Sequence, residues 1–278
     1  MEKIIAAIDG LKFSRSTAEY SAQITRETNA HLVGIFLEDF SYHSLSVYDL
    51  VPKEGSLDDI ISKTEENDKQ ARRQAVIDFT EICRQAKINY SIRHDQNFAI
   101  KELLHESVYA DLLIIDKTES LSRFEQDVPS DFIRELLVNV ECPVLVVPKE
   151  FQEIEKIILL YDGDPSSVFA IKMFCYNFSA LKKLPVEVLS IKSPDKDLHI
   201  PDNRLMKEFL KRHFPDAEYT VLHGNPEFEI VEYLKNKHQN ELVVLGAYRR
   251  GIVSRLFRKS MADVLMQELK TPLFIAHK

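Results

Sequence analysis

At 278 residues the chain is long enough for two ordinary domains, and 45% hydrophobic with 29% charged residues is a folded, globular composition that excludes general disorder. A formal net charge of -8 argues against a nucleic-acid binder, which would carry a basic domain, and no apolar run approaches the roughly 20 residues that cross a bilayer. Three dispersed cysteines, Cys83, Cys142 and Cys175, form no CxxC pair, which argues against a disulfide framework or a zinc site; each reads as a small buried hydrophobe.

Met1-Glu-Lys-Ile-Ile runs into a strand without a signal-peptide pattern, so a cytoplasmic location is expected. Lys3-Ile-Ile-Ala-Ala-Ile-Asp9-Gly10 reads as a central parallel strand ending in an Asp-Gly turn. Ser16-Thr-Ala-Glu19 has capping-box spacing and predicts a helix from Ser16 to about Glu27. His31 to Leu37 is a second strand. A polar connection from Glu38 to Leu57, carrying Tyr42, His43 and Tyr48, precedes one long charged helix from Asp58 to Ala86. Asn89 to Arg93 is a third strand, Ala99 to Val108 a helix and Asp111 to Ile115 a fourth strand. Ser130 to Val138 is a helix and Pro143 to Val147 a fifth strand. This alternation predicts an α/β fold with a parallel sheet covered by helices on both faces.

After Pro148 the pattern starts again. Lys156-Ile-Ile-Leu-Leu-Tyr-Asp162-Gly163 mirrors the first strand at an offset of 153, and Thr271-Pro-Leu-Phe-Ile-Ala276 mirrors Cys142-Pro-Val-Leu-Val-Val147. Asp111-Leu-Leu-Ile-Ile-Asp116 matches Glu241-Leu-Val-Val-Leu-Gly246 at an offset of 130, which also sets Ser130 on Ser260. The chain is an internal duplication, expected to form domains 1–150 and 151–278. The surface chemistry of the halves differs. Residues 1–150 hold 17 Lys and Arg against 27 Asp and Glu, a net of -10, while 151–278 hold 19 against 17, a net of +2.

The second half carries the most suggestive segment. A buried strand ends at Gly246, and Arg249, Arg250, Arg255, Arg258 and Lys259 follow within eleven positions that hold no acidic residue. Ser260 then opens a helix, with Ser260-Met-Ala-Asp263 at capping-box spacing. Loops between strand ends and helix starts are where α/β sheets bind ligands, and this one invites an anion. Solvation of a charged loop, or pairing with the acidic first half, is the plain alternative. Gly246 and Gly251 have Walker A glycine spacing, but Ile252-Val253 stands where Lys-Ser/Thr is required. No G-x-S-x-G elbow and no close histidine pair for a metal occurs. Asp162 and Asp164-Pro165 also read as ordinary turn, N-cap and first helical position. His94 and His223, each at the end of a third strand, read as structural.

The strand-Asp-Gly openings, His223-Gly224-Asn225-Pro226, the Gly246 to Ser260 segment and the Cys/Thr-Pro final strands together resemble the universal stress protein family in tandem form, over essentially the whole chain. The resemblance implies two five-stranded parallel-sheet domains of the Rossmann-like, adenine nucleotide alpha hydrolase-like type, whose final strands pair as in a dimer. Here the halves are expected to supply that pairing to each other as an intramolecular pseudo-dimer, with further homodimerisation left open.

Nucleotide-binding members of that family carry G-x-x-G, nine residues, then G-[S/T] after the fourth strand. Gly246 and Ser260 fit, but Arg249 and Lys259 replace the other two glycines. The departure weakens the inference to ATP or another adenine nucleotide and leaves that to an anion, since basic side chains grip phosphate directly. The expected ligand-binding residues are Asp162 and Gly163 at the nucleoside end, Gly246 for close backbone approach, and Arg249, Arg250, Arg258, Lys259 and Ser260 for charge. In the first half the same segment runs Asp116-Lys-Thr-Glu119 and passes Glu125 and Asp127 without a glycine, so no nucleotide is expected there. The expected role is non-enzymatic stress-linked sensing or protein interaction, with no catalytic residue, no metal, no nucleic acid and no membrane. A weak ATP hydrolase and a ligand-free scaffold with protein partners are the alternatives.

Overall fold

A computed structural model of the chain describes residues 1–38, 57–95, 99–122, 124–178, 180–194, 199–236, 240–247 and 260–277. Its elements in the first half are β1 (Lys3–Asp9), α1 (Arg15–Thr28), β2 (His31–Leu37), α2 (Leu57–Ala86), β3 (Asn89–Asp95), α3 (Ala99–Ser107), β4 (Leu112–Asp116), α4 (Asp131–Asn139) and β5 (Val144–Val147). The second half gives β6 (Lys156–Leu160), α5 (Pro165–Asn177), β7 (Val186–Lys192), α6 (Asn203–His213), β8 (Glu218–His223), α7 (Pro226–Lys235), β9 (Glu241–Gly246), α8 (Met261–Glu268) and β10 (Leu273–Ala276). The long connection with Tyr42, His43 and Tyr48 lies outside the described residues.

All ten strands join one sheet in the order β3-β2-β1-β4-β5-β10-β9-β6-β7-β8. Within each half the pairings are parallel, and the halves meet through β5 and β10, which pair antiparallel with Leu145 opposite Phe274. The internal pairing of final strands therefore follows the sequence expectation. Its cause is legible in composition: β1 from Ile4 to Asp9 and all of β4, β5 and β10 are buried, as strands covered on both faces must be.

Apolar side chains alternate between two layers. On one face Phe174 of α5 packs against Phe178 and Phe274, with ring centroids 4.9 and 5.4 Å apart. Phe79 of α2 covers β2 on the same face, so closely that a Cβ on Gly34 would lie 2.6 Å from its ring. On the other face α3, α4, α7 and α8 bury Leu103, Leu136, Val231 and Leu265. The His94 ring stacks on Phe36, with centroids 5.6 Å apart. The three cysteines are buried and none is in a disulfide, and burial pushes the thiols of Cys83 and Cys142 up to about 12, where neither is a nucleophile at neutral pH.

One expected helix start is corrected. The N-cap of α1 is Ser14, whose Oγ accepts from the Thr17 amide at 3.2 Å, and not Ser16, which is buried inside the first turn. Ser14 prevails because its hydroxyl also donates to Asp116 Oδ2 at 2.7 Å, tying the helix start to the end of β4. Glu19, freed from the expected capping role, pairs with Arg15 one turn back. Among the described residues no helix is long and apolar enough to cross a membrane.

Candidate functional site

The carboxyl ends of the parallel strands are where side chains and backbone groups are free of the ladder, and both halves place the Asp of the Asp-Gly turn there. In the second half a cavity of about 180 Å³ opens at this end, walled by Tyr161, Asp162, Ile191, Ile230, Gly246 and Met261 among others. Strands β6, β7 and β9 supply its floor and α7 one wall. The lining is chiefly apolar, with Asp162 as its carboxylate.

Asp162 Oδ1 accepts from the Asp164 amide and from Ser167 Oγ, both at 2.8 Å, so this oxygen braces the turn into α5. Asp164 is the N-cap of that helix and Pro165 its first residue, as the sequence suggested. Gly163 has φ +88, a left-handed conformation, and a Cβ there would lie 2.7 Å from Pro201, so its conformation explains the glycine without a ligand. Gly246, by contrast, meets backbone, that of α5. A Cβ on it would stand 2.5 Å from the Ser166 carbonyl carbon and 2.8 Å from the Ser167 nitrogen. Ser260 caps α8, its Oγ accepting from the Ala262 amide at 3.3 Å.

Asp162 and Gly246 thus share one cavity, and Met261 brings the start of α8 to the same wall. Arg249, Arg250, Arg258 and Lys259 lie outside the described residues. The apolar wall of Ile191, Ile230 and Met261 was not singled out from the sequence. Its signal was an apolar residue near the end of β7, one in the second turn of α7 and the first residue of α8.

The matching end of the first half is lined by acid. Asp9 is buried, and its Oδ1 accepts from the Leu11 amide at 2.7 Å. Asp116 Oδ1 accepts from the amide and hydroxyl of Thr118 at 2.8 and 2.7 Å. Glu119 Oε1 accepts from the Ser120 and Leu121 amides at 2.8 and 2.9 Å. Ser130, the N-cap of α4, donates its hydroxyl to the Glu119 carbonyl. Burial pushes the Glu119 carboxyl up to about 7, and the neighbouring Asp9 carboxylate pushes in the same direction. Each acid accepts from backbone amides of its own turn, the groups a phosphate would otherwise use.

A larger cavity, about 680 Å³, lies in this half and includes Asp116, Glu119 and Glu125 on its wall with Lys12, Arg15 and Lys149. Size favours it over the second-half cavity; chemistry does not. Lys12 Nζ donates to the Ser122 carbonyl at 2.6 Å and Arg15 pairs with Glu19 at 2.7 Å, while the carboxylates of Asp116 and Glu119, nearest the strand end, are buried. Among the described residues no three His, Cys, Asp or Glu side chains stand together as a metal site.

No protein-family model matches the chain. The universal stress protein Slr1230 of Synechocystis sp. is 20% identical to it over 285 residues, covering 98% of this chain and 99% of that protein. The crystal structure of a universal stress protein from Archaeoglobus fulgidus shares the fold with a TM-score of 0.69 at 13% identity, over 99% and 98% of the two chains. A putative universal stress protein from Pseudomonas aeruginosa gives 0.59 at 14% identity, over 99% and 92%. The cytoplasmic domain of a prokaryotic cation chloride cotransporter has the same overall arrangement, with a TM-score of 0.52 at 11% identity over 100% and 95%. Likeness in sequence and in fold across both halves makes this chain a relative of the universal stress proteins in their tandem, two-domain form.

Proposed function

We propose that this chain is a cytoplasmic stress-response protein of two domains, 1–150 and 151–278, that responds to one nucleotide or other anionic ligand held by its second domain alone. The observation that carries this reading is the contrast between the two strand ends: an apolar cavity beside Asp162 in one half, and the buried acids Asp9, Asp116 and Glu119 at the equivalent place in the other. An apolar cleft with a single carboxylate suits a base and its polar edge, whereas three acids repel phosphate. In this reading Arg249, Arg250, Arg258, Lys259 and Ser260 meet the ligand's negative charge, and Gly246 and Gly163 shape the backbone around it. In this reading binding is read out through protein interaction rather than turnover.

The paired substitution Arg249→Ala and Lys259→Ala tests the assignment. Affinity for ATP, measured by calorimetry, should fall at least tenfold while the melting temperature stays nearly unchanged. Unchanged affinity would remove the basic segment from the site.

A further inference from the structure

We propose that the seam between the two halves of the sheet holds a small phosphate-type oxyanion, gripped by Lys117, Lys149 and Lys270. A cavity of about 180 Å³ opens there, walled by these lysines with Pro148, Glu150 and Gln152. It shares no residue with the cavity beside Asp162. The pairing of β5 with β10 creates it. Those strands run antiparallel, so the residues leaving β5 lie beside the residues entering β10, and the Lys117 amide bonds the Val147 carbonyl at 2.9 Å to bring in the end of β4.

Lys117 is the fixed member of the trio. Its Nζ donates to the Met266 and Leu269 carbonyls at 2.9 and 2.7 Å, at the carboxyl end of α8, leaving one N–H for a ligand. Burial holds its pKa below the usual lysine range, with the Lys270 charge adding to this and Asp116 opposing it. Two ammonium groups thus repel each other across the seam, a cost that a bound anion converts to attraction.

The other groups are set for the same guest. Lys149 and Lys270 are exposed and make no ion pair or hydrogen bond with any described residue. Glu150 is the one carboxylate on the wall and is itself exposed, so the cavity stays net positive. Gln152 adds a polar side chain to the same wall. The volume is several times the roughly 30 Å³ of a water. A compact, multiply charged ion fits it, and lysines hold phosphate as point charges without the planar fork that favours carboxylate.

Because Lys270 belongs to the second half and Lys117 and Lys149 to the first, the ion would lock the two halves together. Titration of the full chain with inorganic phosphate, against sodium chloride of matched ionic strength, tests this. Saturation at one phosphate per chain with a raised melting temperature is expected. Lys149→Ala combined with Lys270→Ala should weaken phosphate at least tenfold while leaving the circular dichroism spectrum and the stoichiometry of ATP unchanged. Loss of ATP binding alone would count against the second-domain ligand site and not against this one. Phenyl phosphate run in parallel identifies the source: equal affinity assigns the phosphate group of a larger molecule, and exclusion assigns the free ion. Absence of saturation by either phosphate in the millimolar range, or full affinity in the double variant, would overturn the site.

Discussion

Gly246, the last residue of β9, lies against the backbone of Ser166 in the first turn of α5, where a Cβ would come within 2.5 Å of the Ser166 carbonyl carbon. Backbone cannot swing aside as a side chain tip does. Gly246→Ala should therefore lose about 1–3 kcal/mol of stability, the range of overpacking a tight interior. Urea unfolding monitored by circular dichroism measures this, and an unchanged midpoint would mean that α5 moves freely away from β9.

The buried acid of the first half gives a pH signature. Glu119 has a folded pKa of about 7 against a reference value of 4.5, so the folded chain holds this proton more tightly than the unfolded one. Below the reference value both states are protonated and no penalty exists. Between that value and about 7 the unfolded chain releases the proton while the folded chain keeps it, and stability falls with rising pH until it levels. Glu119→Gln removes the penalty while its carbonyl oxygen still accepts from Ser120 and Leu121. The variant should match the parent at pH 4 and exceed it by on the order of 3 kcal/mol above neutrality. Equal stability at pH 8 would refute the burial of this acid.

Ser14 joins α1 to β4, accepting from Thr17 and donating to Asp116. Ser14→Ala should cost about 1–2 kcal/mol, at the upper end for a helix cap because a buried carboxylate also loses a donor. Ser16→Ala should cost less than this. Thermal unfolding of the two variants side by side decides which serine is the cap.

Phe274 is fully buried at the seam, opposite Leu145 and against Phe174 and Phe178. Phe274→Ala should lose about 3–5 kcal/mol. Since the ring lies where the halves meet, the parent should unfold in one calorimetric transition and the variant in two. A single transition in the variant would show that the halves are coupled elsewhere.

Much of this was legible in the chain itself. The repetition of strand-Asp-Gly at Asp9 and Asp162, and of Pro-led final strands at Pro143 and Pro272, announces the duplicated α/β fold because buried parallel strands need continuous apolar runs. Local chemistry also marked Asp164 and Ser260 as caps. What depends on contacts distant in sequence was not legible. Ser14 outcompetes Ser16 through Asp116, which lies 102 positions away. Gly246 reads as a phosphate-loop glycine, yet its tightest neighbour is α5. Glu119 looks like one more charge in an acidic loop until Asp9 and Asp116 are placed beside it. The lysine cavity depends on β5 and β10 running antiparallel, a relation between halves that no motif within either half encodes.

The central claim is that only one of the two strand ends is competent for a ligand. Calorimetric titration of nucleotide-stripped protein with ATP, with AMP and a cyclic dinucleotide alongside, tests it directly, using Ile191→Trp to fill the cavity beside Asp162 and Glu119→Gln to relieve the acid in the first half. The account predicts saturation at one ligand per chain, lost in Ile191→Trp and retained in Glu119→Gln. Two ligands per chain, or binding that survives the filled cavity, would contradict it.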